Sequence, residues 1–179
     1  TSVSIDLCIA AAALLLLRLL EPAHLIPDSY EIATIGECLW TQNAQWLDCS
    51  EASLGFRPLI PSILMGPLLL LTNSLHALSI LCSLSLLLFF YSIQRIFSQR
   101  HLSICILFAL LALPNTRQLM AVIDARIIVL GPLLWAYLRL ISNPSTSCSH
   151  LWIGLAISVA ALSRPEQLLS VVIVLFWFR

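Results

Sequence analysis

The sequence predicts an all-α protein, a polytopic transmembrane helical bundle of about six membrane segments plus an external loop with short interfacial helices. Hydrophobic residues fill 60% of the 179 positions and charged ones only 10%, whereas a soluble chain carries about a quarter charged residues. Nine acidic and nine basic side chains are too few to clothe a core of this size in polar surface, so lipid must cover much of it. The apolar residues are also gathered into runs near the ~20 residues that a spanning helix needs, and only one long polar stretch interrupts them.

Residues 7–20 give a first segment, with Arg18 near its end placed to snorkel toward an interface. Asp6 and Arg18 in this run, with no basic region ahead of it, mark a retained helix rather than a cleaved signal. The polar stretch 21–57 follows and holds most of the acidic residues together with Trp40 and Trp46. Residues 59–72 are apolar but broken by Pro61 and Pro67 after Pro58, which predicts a short helix lying at or dipping into the interface.

The second segment, 74–97, is the clearest, closed by Ser98-Gln99-Arg100-His101. A third runs over 101–113 and a fourth over 127–141, ended by the turn Ser142-Asn143-Pro144-Ser145. Residues 150–163 give a fifth, and 167–178 begin a sixth. Several runs hold only 12 to 15 apolar residues, which points to helix ends facing a polar, protein-lined cavity. The apolar run up to Arg179 reads as a chain cut short, so the whole of 1–179 is one transmembrane domain of a longer protein.

If residues 59–72 do not cross, parity puts the 21–57 loop, the 115–126 turn and the 163–166 turn on one side. Arg18, Arg57, Arg117, Arg126 and Arg164 fall on that side, and Arg95, Arg100, Arg139 and Arg179 on the other, so positive-inside counting leaves orientation open. The excess of arginine beside Asp28 and Asp124 suits a phosphate site better than a topology signal. All nine basic residues are Arg; guanidinium holds phosphate bidentately in dry places, and coding bias explains the same composition.

Zero net charge gives no basic patch for nucleic acid. The six cysteines show no C-x-x-C spacing, and most read as small apolar packers. Cys38 and Cys49 share the polar loop and can pair if it faces an oxidising compartment. His24, His76, His101 and His150 lack metal-ligand spacing. Trp40 and Trp46 read first as interface-belt aromatics and second as sugar-stacking platforms.

In chain order the motifs are Pro27-Asp28-Ser29-Tyr30-Glu31, Phe56-Arg57-Pro58-Leu59-Ile60-Pro61, Leu113-Pro114, Ile123-Asp124, Gly154-Leu155-Ala156 and Leu162-Ser163-Arg164-Pro165-Glu166. This order resembles the N-terminal half of the GT-C class of integral-membrane glycosyltransferases, in particular the dolichyl-phosphate-mannose and aminoarabinose transferase-like proteins. That class carries an Asp in the first external loop, an Arg-Pro-Pro-Leu-like stretch before the second helix, a second acidic residue past a Leu-Pro, and Thr-Arg-Pro-Glu-like residues after a Gly-rich helix. The Pro27-Asp28 segment also resembles the branch that builds glycolipid anchors. The class continues for further helices that this sequence does not contain.

The resemblance implies sugar transfer from a polyprenyl-phosphate carrier to an acceptor, at the external face of a bacterial inner membrane or an ER-type membrane. It implies Asp28 as general base of an inverting displacement, and Asp124 as the acid that orients the acceptor or coordinates a divalent metal. It assigns Arg57, Arg126 and Arg164 to the phosphate, with Glu31 beside the base. Other readings stand next to these. Asp28 with Glu31 forms a helix capping box, Asp124 pairs with Arg126 or Arg117 as an interfacial ion pair, Arg57 is an interfacial anchor, and Glu166 complements a helix N-terminus. A non-catalytic subunit serving a larger membrane assembly, with other membrane subunits as partners, is the alternative to an enzyme.

Overall fold

The computed structural model describes residues 2–41, 49, 59–97, 99–142, 151, 154, 155 and 158. In chain order it contains α1 (Ser2–Leu20), β1 (His24–Leu25), α2 (Pro27–Thr41), α3 (Leu59–Leu64), α4 (Gly66–Leu69), α5 (Ser74–Ile96), α6 (Arg100–Ala112), α7 (Pro114–Ala121), β2 (Val122–Ile123) and α8 (Ala125–Ser142). By length and composition Val3–Leu20 and Ser74–Ile96 can each cross a membrane, and a third crossing follows if α6 and α7 form one broken span. The chain is therefore mostly helical and membrane-associated.

Helix α5 is the spine. Its 23 residues extend about 35 Å at ~1.5 Å per residue, enough for the ~30 Å hydrocarbon layer. Asn73 starts it, its side chain accepting the His76 N–H at 2.9 Å. Helix α1 packs antiparallel to α5, bringing Asp6 to Arg95 and Arg18 to Ser83. Helix α8 runs parallel to it, so Asp124 lies by Cys82 and Ile127 by Ser85.

The packed faces set small residues among large apolar ones such as Leu78, Leu86 and Phe90. Along α1 the buried positions are Asp6, Ala10, Ala13 and Leu17, while Val3, Ile5, Leu7, Leu15 and Leu19 face outward. Leucine gains little from leaving lipid for another helix, so close approach of small side chains is what joins such helices. Gly131 of α8 carries this furthest. A Cβ there would lie 2.1 Å from the Ser85 carbonyl oxygen. The Ser85 hydroxyl donates to Ile127 O at 2.7 Å and accepts the Gly131 N–H at 3.0 Å. It thus sits between two groups that an uninterrupted helix would join directly, one residue ahead of Pro132.

The expected third and fourth segments both form helices. Helix α6 has 13 residues, about 20 Å, and stops at Leu113, where Pro114 bars a continuing helix. Pro114 then opens α7, which is bent 85° from α6. The expected 115–126 turn is thus α7 and β2 rather than a simple turn. The fourth segment forms the helix α8, over nearly the expected residues. The all-α expectation also needs an addition, because β1 and β2 pair in parallel, His24 with Val122 and Leu25 with Ile123. The fifth and sixth segments lie almost wholly outside the described residues.

Residues 59–72 form α3 and α4, of six and four residues, about 9 and 6 Å long, so neither crosses a bilayer. They are clamped to α2. Trp40 donates its indole N–H to Ser62 O at 3.2 Å, and its ring lies where a Cβ on Gly66 would be. One face of Trp40 is packing surface, which narrows its reading as a belt or sugar platform. Cys38 at the end of α2 forms a disulfide with Cys49. Trp46 lies outside the described residues.

Candidate functional site

Two connections that are far apart in sequence meet where β1 pairs with β2. By the pairing register, Ile26 and Asp124 are the next residues along the two strands, and each opens a helix, α2 and α8. The first turn of α2 and the head of α8 therefore share one end of the bundle. Ser29 fastens them. Its hydroxyl is fully buried, accepts the Ile26 N–H at 3.0 Å and donates to the Ile123 carbonyl.

Helix α2 opens at Pro27, so Asp28 lies inside its first turn rather than ahead of it. Ser29 makes a back-bond of its own, its hydroxyl accepting the N–H of Ile26 just ahead of the helix. An acid at Asp28 faces the positive end of the α2 dipole, and both Asp28 and Glu31 are half-buried.

Asp124 is 1% exposed. Its carboxylate pairs with the Arg126 guanidinium, whose side chain is 56% exposed, and its carbonyl accepts the Ile127 N–H at 3.0 Å. The pairing partner expected from sequence is thus present, but the acid is buried rather than interfacial. Arg117 turns elsewhere: it donates to Leu111 O at 3.0 Å, capping the end of α6 across the bend, and approaches Glu21 at 3.9 Å.

Further residues belong to this end that the sequence did not single out for a site. Arg18, expected to snorkel, reaches Ser83 at 3.4 Å and Ala121 O at 3.5 Å, crossing from α1 to α5 and α7. Glu21 bridges His24 at 3.2 Å. An arginine within an apolar run was the signal for Arg18; nothing in the sequence marked Ser29. Asp28, Glu31, Asp124 and Arg126 are thus brought to one end, while Arg57 and Arg164 lie outside the described residues. Among the described residues no group of three or more His, Cys, Asp or Glu side chains could hold a metal ion.

The opposite end carries a second charged cluster. Asp6, with its side chain 7% exposed, lies 3.4 Å from Arg95 of α5 and 3.5 Å from Arg100 of α6. Beside it Ser103 of α6 donates to Gln94 Oε1 of α5 at 2.8 Å. Two grooves are formed by described residues, an apolar one along α1 and α6 and, away from the Asp124 end, one between Arg95 and Arg139. No protein-family model matches the chain, and comparisons with curated proteins and with solved structures returned no match.

Proposed function

We propose that the chain is a GT-C-like bundle of about six membrane segments that belongs to a glycosyltransferase moving a sugar from a polyprenyl phosphate to an acceptor. The observation that carries the reading is the meeting of the first loop with Asp124, through the β1–β2 pair and Ser29. Two acids that the resemblance assigns to one centre lie at one end of the bundle. The Cys38–Cys49 disulfide belongs to the α2 side and favours an oxidising compartment there, in keeping with chemistry at the external face.

In this reading the acceptor hydroxyl attacks the anomeric carbon as Asp28 takes its proton. The bond from that carbon to the phosphate oxygen breaks on the opposite face, and the phosphate leaves with the electron pair. The configuration inverts. Arg126, with Arg57 and Arg164, stabilises the departing phosphate, and Asp124 holds Arg126 and orients the acceptor. Glu31 flanks the base.

The test is transfer of sugar from a lipid carrier by the full-length protein in membranes. Asp28→Asn should lower the rate by at least about a hundredfold with unchanged protein in the membrane, and an active variant would sink the proposal. A second reading, a non-catalytic subunit, is favoured by the engagement of Arg18, Arg117 and Arg126 in contacts within the chain. It predicts no transfer by the wild type and stable co-purification with partner chains.

A further inference from the structure

At the end remote from Asp124, Arg95 of α5 and Arg139 of α8 flank a pocket of about 130 Å³ whose other walls are Tyr91, Trp135 and Leu138. The Arg139 guanidinium lies over the Trp135 ring, 5.2 Å from its centroid, a stacking that orients its planar fork. Among the described residues the cations at this end outnumber the acids: Arg95 and Arg100 share one carboxylate, Asp6, and Arg139 of the pocket adds a third cation. The side chains of Arg95 and Arg100 are 41% and 48% exposed and Arg139 is exposed as well, so this surplus is open to solvent or lipid head groups.

We propose that this pocket binds a phosphate group, held between the Arg95 and Arg139 guanidinium groups beside Tyr91 and Trp135. Arginine is the side chain suited to bidentate phosphate recognition, and Tyr91 and Trp135, in the C-terminal halves of α5 and α8, are the aromatic types enriched at the head-group level of a bilayer. Basic pockets between membrane helices take anionic lipid head groups in this way. The pocket has room for a phosphate and not for acyl chains, which would lie along the outer faces of α5 and α8. The same chemistry accepts a lipid phosphodiester or a soluble phosphate. This site is separate from the proposed catalytic end and does not depend on that reading.

The test uses the full chain purified in mild detergent, with native mass spectrometry counting bound phosphatidylglycerol against phosphatidylcholine of the same acyl chains. A parallel titration with inorganic phosphate follows tryptophan fluorescence. Preferential retention of phosphatidylglycerol, lowered roughly five- to tenfold by Arg139→Gln, establishes a lipid phosphate as the ligand. Saturable, Arg139-dependent binding of inorganic phosphate without lipid preference establishes the same chemistry from a soluble source. Equal binding of both lipids and no phosphate response would overturn the proposal, as would an Arg139→Gln protein that binds like the wild type. A photoactivatable phosphatidylglycerol on the wild type guards against misfolding of the variant. Its label should map to the peptides holding Tyr91–Arg95 and Trp135–Arg139, and labelling confined to other helices would equally overturn the site.

Discussion

At the Asp6 end of the bundle a buried carboxylate is held by arginines from two other helices, 3.4 and 3.5 Å away. At the Asp124 end the buried carboxylate pairs with an arginine two residues along its own helix. There the elements are joined instead by backbone pairing of β1 with β2, by Ser29, and by Arg18 reaching a carbonyl. Similar residues thus do different work. Carboxylate–arginine pairs staple the helices together at the Asp6 end, whereas at the Asp124 end backbone pairing, a buried hydroxyl and Arg18 share that work with the Arg117–Glu21 pair.

The comparison presumes that α8 delivers Asp124 and Arg139 to opposite ends along one fixed line, and Gly131 is where that line is set. Gly131→Leu should cost on the order of 3 kcal/mol or more, since even a Cβ lies 2.1 Å from Ser85 O. Thermal unfolding in detergent reads the loss, and a wild-type midpoint would show that α8 is not seated on α5 in this way. The next effect is local. Cys38→Ser opens a loop of 11 residues and should destabilise the α2 region by about 2–3 kcal/mol. Its companion measurement sets the sidedness: thiol labelling of Cys49 in the variant should occur with an impermeant reagent from the oxidising side only.

How far the sequence foretold this arrangement depends on the kind of signal. Composition and run length marked α1 and α5, because a bilayer demands length and apolarity whatever the partners are. The Leu113-Pro114 step marked the end of α6, but a proline stops a helix without saying where the chain goes next, so the 85° bend into α7 was not legible. The β1–β2 pair was hidden for a similar reason. Two-residue strands have no periodicity, and His24-Leu25 and Val122-Ile123 are matched only by tertiary approach. Asp28 and Asp124 were chosen through the resemblance, and their nearness rests on that pairing. Asp6 drew notice as a charge in an apolar run, but its arginines are about ninety residues away in the chain, and spacing cannot join them.

Redundancy is the sharper difference between the ends. Because Asp6 has two cationic partners, Arg95→Gln or Arg100→Gln alone should cost only about 0.5 kcal/mol. Both together should cost about 2 kcal/mol, more than the sum, as a buried acid then loses both partners. Equal, additive losses would mean that the two arginines act separately and that the staple is a chance of proximity.

A more local effect than the paired arginine loss probes the other fastening. Ser29→Ala removes one buried hydroxyl that both accepts the Ile26 N–H and donates to Ile123 O. Its cost should be about 1 kcal/mol, because the β1–β2 backbone pairing remains. Hydrogen exchange is the appropriate measurement, since the loss should be confined to residues 24–29 and 122–124 while protection around Asp6 is unchanged. If the proposed chemistry holds, transfer should fall in the same variant although Ser29 is buried and would not touch substrate, and restoring the hydroxyl with Ser29→Thr should recover part of it. Uniform loss of protection at both ends would mean that the bundle opens as one unit, and the separate fastening of the Asp124 end would not stand. Loss confined to that end together with slower transfer would tie the geometry of the paired strands to the placement of Asp28 against Asp124.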